Sequence, residues 1–273
     1  MSPPEAPWPG RVDPDGASGP EPGAAPGRAG DVTAIVVAAG RGERFGPTPK
    51  VLAPLGTGAA TVLSTALAAI CRAPSVAGVV LVVGDAVRPA AEELVAGDDW
   101  GVPVRIVAGG GRRQDSTLAG LLATPAGHDV VVIHDGARPL VTPDLVEACV
   151  AAARRDGAAI AAVPVHDTLK RVDLALAIVE TVSRDGLWAA QTPQAFRRDL
   201  LLRAMTGPEF AGDYTDEAGL FETLGWPVAV VPGAATNLKI TRPDDLVLAA
   251  ALMAHVPLAP GSATPSTGEA LAR

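Results

Sequence analysis

Short apolar runs alternate along the chain with longer runs rich in alanine and leucine. The short runs are nearly continuous in hydrophobicity and rich in β-branched residues, which predicts strands covered on both faces. Strands are expected at residues 32–38, 78–84, 103–108, 129–134, 158–163 and 227–231. The longer runs predict helices near residues 60–72, 86–97, 113–123, 143–155, 197–205, 215–224 and 243–255. Such alternation is typical of the α/β class with a doubly wound, mostly parallel sheet, which binds ligands beyond the carboxyl ends of its strands.

One segment departs from this alternation. Between Asp167 and about Thr192, three short apolar runs follow one another without a long helical pattern. We interpret residues of about 165–192 as a protruding β-hairpin arm. An exposed hairpin is marginally stable alone, so a partner surface is expected to cover it. A lid folded on its own domain is the alternative.

The two ends of the chain differ from its middle. Residues 1–30 are rich in proline and glycine and lack periodicity, and residues 257–273 look similar. Such segments bury too little apolar surface to offset the entropy lost on ordering. We therefore expect a disordered N-terminal extension, a single domain over residues 31–256 that includes the arm, and a disordered C-terminal tail.

Composition argues against nucleic-acid and membrane partners. The formal net charge is −8 and only 3% of residues are aromatic, which argues against nucleic-acid binding by a basic surface or by base stacking. No apolar run of about 18 residues predicts a membrane span, and no apolar region near the first residue predicts a secretory signal. Cys71 and Cys149 lack metal-ligand spacing and are interpreted as buried thiols of a cytoplasmic protein. Small-molecule substrates are the expected partners.

Lysine is rare in this chain. Of the 22 basic residues, 19 are arginine and three are lysine, at Lys50, Lys170 and Lys239. An ammonium is a compact point charge suited to a phosphate oxygen, whereas a guanidinium is a broad planar fork. The lysines are therefore candidates for phosphate contacts, with chance retention as the alternative.

A glycine-rich turn follows the first expected strand. Its candidate ligand-binding residues are Ala38, Ala39, Gly40, Gly42, Arg44 and Lys50. Small residues after a buried strand let backbone N–H groups approach a phosphate, and the two cations lie within reach of the same anion. The turn is neither a Rossmann fingerprint, because Phe45 occupies the last glycine position, nor a Walker A loop. A tight structural turn is the alternative to phosphate binding.

A second glycine cluster follows the strand expected at residues 103–108. Gly110 and Gly111 expose main-chain amides and carbonyls that can bind a base edge, and Ser116 adds a hydroxyl near the start of a helix. A flexible connector is the alternative interpretation.

A third motif ends the strand expected at residues 129–134. Asp135 is placed as a ligand of a metal or a hydroxyl group, and Arg138 is placed for an anionic group. An ion pair between the two within a turn is the alternative. His134 is interpreted as a structural histidine.

Three motifs remain. The arm carries Thr168, Lys170 and Arg184, followed by the run Gln-Thr-Pro-Gln-Ala-Phe, and Thr215 begins the run Thr-Asp-Glu-Ala. The run from residue 237 to 246 places Lys239 on an extended segment just before a helix that begins with Pro-Asp-Asp.

Taken in order, these motifs resemble the 2-C-methyl-D-erythritol 4-phosphate cytidylyltransferase family of the non-mevalonate isoprenoid pathway. The motifs are AAG-x-G-x-R…PK, GG…R-x-DS, HD-x-ARP, DTLK, R-x-x-LW-x-AQTPQ-x-F, TDEA and NLKIT-x-PDDL, between about Val32 and Leu252. The resemblance implies a Rossmann-like nucleotidyltransferase fold. It also implies that the phosphate of the acceptor attacks the α-phosphorus of CTP in line, so that CMP is transferred and pyrophosphate leaves.

The resemblance assigns roles to residues. As catalytic residues it implies Arg44, Lys50, Arg184 and Lys239. For the nucleotide it implies Ala38, Ala39, Gly40, Gly42, Gly110, Gly111 and Ser116. For the acceptor it implies Asp135, Arg138, Thr168, Arg184, Thr215 and Lys239. Mg²⁺ would bridge the triphosphate, with Asp135 as a candidate metal ligand.

The resemblance further implies a homodimer in which the arms are exchanged, so that Thr168 and Arg184 complete the neighbouring site. The step from Arg44 to Lys50 is one residue shorter than is usual in the family, which predicts a tighter loop. Two alternative functions are a ribitol 5-phosphate cytidylyltransferase and a non-catalytic nucleotide-binding module. The module would be expected to lack a charged residue at the α-phosphate.

Overall fold

The computed structural model describes residues 31–40, 45, 48–56 and 58–255. The expected N-terminal extension and C-terminal tail lie outside the described residues, as do Gly42 and Arg44 of the glycine-rich turn.

Strands alternate with helices over most of the described chain. The strands there are β1 (Val32–Ala38), β2 (Val76–Val83), β3 (Val104–Ala108), β4 (Val130–Asp135), β5 (Ala158–Pro164), β6 (Leu169–Val172), β7 (Ile178–Val182), β8 (Trp188–Arg197) and β9 (Ala229–Pro232). The helices there are α1 (Val62–Cys71), α2 (Arg88–Ala96), α3 (Arg113–Leu122), α4 (Pro143–Asp156), α5 (Arg198–Thr206), α6 (Glu217–Thr223) and α7 (Pro243–His255). Each strand and helix expected from the apolar pattern is found within a few residues of its predicted bounds.

Seven strands form the main sheet in the order β3-β2-β1-β4-β8-β5-β9. β1 is parallel to β2 and β4, and β2 is parallel to β3, while β5 and β9 form a second parallel pair. The predicted α/β class with a doubly wound, mostly parallel sheet is therefore confirmed. β6 and β7 pair antiparallel in a separate two-stranded sheet, which is the predicted hairpin arm.

Strand β8 is not predicted by the sequence pattern. It runs antiparallel between β4 and β5, where Trp188 pairs with Pro164 and Gln194 pairs with Ile133. Residues 188–192 are expected in the arm and instead lie in the main sheet, so the arm comprises residues 165–187. The apolar pattern fails here because β8 carries buried polar side chains such as Gln191, whose hydrogen bonds only the folded chain supplies.

Helices cover both faces of the sheet and close two apolar layers. One layer packs the β1 residues Val32 and Val36 with residues of α1 and α4, and the other packs Ile35 with residues of α3 and α5. The predicted start of α4 is confirmed, since the Thr142 hydroxyl accepts the backbone N–H of Leu145 and Pro143 follows as the first helical residue. In the part of the chain that the structure describes, no helix is long and apolar enough to cross a membrane.

Candidate active site

A cleft of about 660 Å³ lies at the carboxyl ends of β1, β3 and β4. Predicted site residues that line it are Ala38, Ala39, Gly40, Lys50, Gly110, Gly111, Ser116, Asp135 and Lys239. These nine residues come from separated segments of the chain, and the parallel sheet brings them together because its strands end at one edge.

The two glycine-rich segments touch each other on one side of the cleft. A Cβ atom added to Gly109 would lie 2.3 Å from the Cβ atom of Ala39 and 3.0 Å from Oγ of Ser116. The Ser116 hydroxyl accepts the N–H of Gly110 at 3.0 Å and donates to the carbonyl of Arg112 at 3.2 Å. The segment after β3 is therefore fixed against the first turn of α3. It leaves Gly111 open to the cleft, since a Cβ atom there would meet no atom of the described residues within 4 Å.

Asp135, the last residue of β4, is the centre of charge in the cleft. Its Oδ2 lies 2.7 Å from Nζ of Lys239, and its Oδ1 lies 3.4 Å from Nη2 of Arg113. Nε of Arg138 lies 3.9 Å from Oδ2. Burial by itself would raise the pKa of Asp135, but these cations, Lys239 foremost, outweigh burial and lower it below its ordinary value. Asp135 is therefore ionised throughout the neutral range.

Arg113 links Asp135 to a second carboxylate. Its Nη1 lies 2.8 Å from both oxygens of Glu217, and the hydroxyl of Thr117 donates to Oε1 of Glu217 at 2.7 Å. Burial by itself would lower the pKa of Arg113, but Glu217 and then Asp135 raise it above its ordinary value. The guanidinium is thus charged and held between two anions.

Arg138 lies beneath the cleft rather than among its lining residues. Its Nη1 donates to the carbonyl of Asn237 at 2.7 Å, which ties the end of β4 to the segment that carries Lys239. Its Nε lies 3.9 Å from Oδ2 of Asp135. The ion pair between these two residues, which was the alternative interpretation of the motif, is therefore present. A contact between Arg138 and the acceptor stays a prediction.

His134 is completely buried and has two hydrogen-bond partners. Its Nε2 lies 3.0 Å from the carbonyl of Arg138, and its Nδ1 lies 3.1 Å from the hydroxyl of Thr192. Burial lowers the pKa of His134 to about 4. These contacts agree with its interpretation as a structural histidine.

Carboxylates of the cleft are the candidate ligands of Mg²⁺. Among the described residues, no group of three or more His, Cys, Asp or Glu side chains is placed to hold a metal ion. Both oxygens of Asp135 contact cations of the protein. A role for Asp135 as a metal ligand stays a prediction.

Besides Arg138, three described residues of the predicted site do not line this cleft. Thr168 and Arg184 are exposed on the arm, where Arg184 donates to the carbonyl of His166. Thr215 is exposed on the loop before α6. None of these three side chains reaches the cleft by itself, so their predicted contacts with the acceptor require a further element that completes the site.

Sequence reasoning missed Arg113, Glu217 and Thr241. Arg113 and Thr241 line the cleft, and Glu217 holds Arg113 from behind it. One signal was available for Arg113. A cation in the first turn of a helix opposes the helix dipole, so its place there indicates an anionic partner elsewhere in the fold.

Comparisons with known proteins agree with the geometry. A family model described as 2-C-methyl-D-erythritol 4-phosphate cytidylyltransferase matches residues 32–255. A protein of that name from Frankia casuarinae is 46% identical over 227 residues, which cover 82% of each chain. A bifunctional enzyme IspD/IspF from Desulforudis audaxviator is 44% identical over 85% of this chain, which spans 59% of that longer relative. The crystal structure of a 2-C-methyl-D-erythritol 4-phosphate cytidylyltransferase from Thermus thermophilus has a TM-score of 0.66 and 35% identity, covering 82% of this chain and 98% of that one.

Proposed function

Because the chain belongs to the 2-C-methyl-D-erythritol 4-phosphate cytidylyltransferase family, we propose that its cleft transfers CMP from CTP to 2-C-methyl-D-erythritol 4-phosphate. The enzyme is a nucleotidyltransferase of isoprenoid precursor biosynthesis. The observation that carries the assignment to this cleft is the meeting of the nine predicted residues in one place.

The reaction needs no nucleophile from the protein. A phosphate oxygen of the acceptor forms a bond to the α-phosphorus of CTP, and the bond from that phosphorus to the bridging oxygen breaks as pyrophosphate leaves. Catalysis then consists of aligning two polyanions and neutralising charge that develops on the phosphoryl oxygens. Lys50 and Lys239 enter the cleft from different segments and supply this charge. Arg44, which lies outside the described residues, remains a predicted third cation.

The two sides of the cleft suit the two substrates. We expect the backbone at Gly110 and Gly111 and the fixed hydroxyl of Ser116 to contact cytosine and ribose, with the amide of Gly110 already bound to Ser116. We expect the backbone of residues 38–40 to contact the phosphates. On the opposite side, Asp135 accepts hydrogen bonds from acceptor hydroxyls and holds Lys239 towards the attacking phosphate. Thr215 would reach the same acceptor from the loop before α6.

We propose that Mg²⁺ enters the cleft with the triphosphate. Mg²⁺ keeps several waters and commonly binds substrate phosphates with one or two carboxylates. Asp135 is the carboxylate among the described residues that line the cleft. A test is to remove free Mg²⁺ with a chelator, which should abolish turnover, and to restore it.

We also propose a homodimer that exchanges arms. Leu174, Leu176, Ile178 and Val179 of the arm are exposed, and an apolar hairpin that protrudes into water favours a partner surface. The exposed positions of Thr168 and Arg184 at the base of the arm fit a site completed by the neighbouring subunit.

A cytoplasmic location is proposed from the two free thiols. Burial raises the pKa of Cys71 and of Cys149 to about 12, so both stay protonated at neutral pH. Cys149 is buried as predicted, whereas Cys71 is only half-buried. Free thiols that stay protonated fit a reducing compartment.

The activity test uses CTP, Mg²⁺ and each of two acceptors. We expect pyrophosphate release with 2-C-methyl-D-erythritol 4-phosphate, at a kcat/KM at least about tenfold above that with ribitol 5-phosphate. A Lys50→Ala variant is the control and should lose turnover. A preference for ribitol 5-phosphate would overturn the acceptor assignment, and no turnover with either acceptor would favour the non-catalytic module.

A further inference from the structure

Glu217 is a buried carboxylate that has no part in the chemistry described above. Its side chain is 1% exposed, and its contacts are the ion pair with Arg113 and the hydroxyl of Thr117. An ionised carboxylate is expensive to bury unless a partner compensates for its lost hydration. What Glu217 does for the enzyme therefore depends on what Arg113 does.

Arg113 reaches from Glu217 to the wall of the cleft. One terminal nitrogen, Nη1, faces the two oxygens of Glu217, and the other, Nη2, faces Oδ1 of Asp135 at 3.4 Å. Because a guanidinium is planar and rigid, holding Nη1 in place also fixes the position of Nη2.

Asp135 receives its two closest cations on different oxygens. Arg113 contacts Oδ1 at 3.4 Å, and Lys239 contacts Oδ2 at 2.7 Å, while Arg138 lies farther from Oδ2, at 3.9 Å. Charges thus alternate from Glu217 to Lys239, and each of the two closest cations contacts its own carboxylate oxygen. If Arg113 lost its first anion, it would be drawn towards Asp135 and would compete with Lys239 for that carboxylate.

We propose that Glu217 is a positioning residue, which acts through Arg113 and Asp135 to hold the ammonium of Lys239 at the attacking phosphate. This inference rests on the function proposed above, in which Lys239 acts on that phosphate. Glu217 neutralises Arg113 and restricts its contact with Asp135 to Oδ1. Oδ2 of Asp135 then remains available to Lys239. Nothing in this role requires Glu217 to touch either substrate.

The first experiment compares Glu217→Gln with Thr117→Val in steady-state kinetics with both substrates varied. Glu217→Gln removes the charge and keeps the shape, whereas Thr117→Val removes the other contact of the same oxygen and keeps the ion pair. We expect Glu217→Gln to lower kcat about 10- to 100-fold with a KM for CTP within about twofold of the parent value. Thr117→Val should keep kcat within about threefold. Equal kcat values for Glu217→Gln and the parent enzyme would overturn the proposal.

The second experiment is a double-mutant cycle with Lys239→Ala, which separates positioning from a general effect on folding. If Glu217 acts through Lys239, adding Glu217→Gln to Lys239→Ala should lower kcat/KM by less than about threefold. A merely structural role would give the full loss in both backgrounds, and that result would refute the proposal.

A third variant covers the case in which Glu217→Gln does not fold. Replacing Arg113 by Met in the same chain removes both members of the buried ion pair, which is commonly tolerated where the loss of one member is not. In the double variant Glu217→Gln, Arg113→Met, Oδ1 of Asp135 has lost the cation that fixed this carboxylate, so Lys239 is no longer held in place. This variant should fold with kcat reduced at least about tenfold, again with little further loss from Lys239→Ala. A parent-like kcat would overturn the proposal. An inactive parent enzyme would instead overturn the proposed function.

Discussion

The ammonium of Lys239 lies 2.7 Å from Oδ2 of Asp135, and this ion pair joins the end of β4 to the segment that precedes α7. The side chain of Lys239 is 40% exposed, whereas that of Asp135 is 11% exposed. The carboxylate is therefore the buried anchor, and the ammonium is the group presented to the cleft. This asymmetry is what a phosphate-binding cation requires.

Replacing Lys239 by Arg should lower kcat/KM strongly. The same replacement at Lys170 is the matched control. A guanidinium is a broad planar fork and cannot replace the compact ammonium as a point charge between Asp135 and the phosphate, so kcat/KM should fall at least about 100-fold. Lys170 is exposed on the arm and donates to Thr181 at 2.6 Å, a contact that arginine can replace, so kcat/KM should change less than about twofold. A Lys239→Arg enzyme with parent-like kcat/KM would contradict the assigned role.

The contact between the two glycine-rich segments predicts that alanine destabilises the protein more at position 109 than at position 111. Alanine at position 109 would place its Cβ atom 2.3 Å from that of Ala39, whereas at position 111 its Cβ atom would meet none of the described atoms within 4 Å. Gly109→Ala should therefore lower the free energy of unfolding by about 1–3 kcal/mol, and Gly111→Ala by less than about 0.5 kcal/mol. Urea unfolding measures both values, and equal midpoints would show that the two segments do not pack closely.

The buried histidine predicts how stability depends on pH. Burial lowers the pKa of His134 from 6.5 to about 4, so the unfolded chain takes up a proton in this range while the folded chain does not. The free energy of unfolding should fall as pH drops from about 6.5 to about 4, with His134 contributing about 2 kcal/mol between pH 7 and pH 5.

The control for this pH dependence is His134→Gln, whose side-chain amide can keep a hydrogen bond to the carbonyl of Arg138 but cannot titrate. Urea midpoints of both proteins at pH 7 and pH 5 give the comparison. The loss on acidification should be about 2 kcal/mol smaller in the variant. An equal loss in both proteins would show that His134 binds its proton as readily in the folded state as in the unfolded state.

The proposed exchange of arms predicts complementation between two variants of low activity. Arg184→Ala removes the arm residue and Lys239→Ala removes the cleft residue, so each variant alone should keep only a small residual activity. When the two are co-expressed in equal amounts, half of the dimers are mixed and each mixed dimer holds one intact site. About a quarter of the parent activity should return. Dimers by light scattering without any regained activity would show that Arg184 serves its own subunit.

The order of local elements could be predicted from the chain because it depends on neighbouring residues. Apolar β-branched runs mark β1 and β4, and the threonine and proline at 142 and 143 mark the start of α4. The place of the site followed from the same pattern, since parallel strands end at one edge and the glycine-rich motifs come directly after them. Asp135 was expected at this edge because it ends a strand, whereas Lys239 was expected in the same site only from the family resemblance.

Tertiary structure alone decided the insertion of β8 and the partners of Arg113. In β8, Gln194 and Thr192 are buried, because Asp216 and His134 from distant segments provide their hydrogen bonds. Polar residues in such a strand are indistinguishable from surface residues until those partners are present. Arg113 could not be recognised for the same reason, because its two carboxylate partners lie far from it along the chain. Ion pairs between distant segments produce no periodic pattern in the sequence.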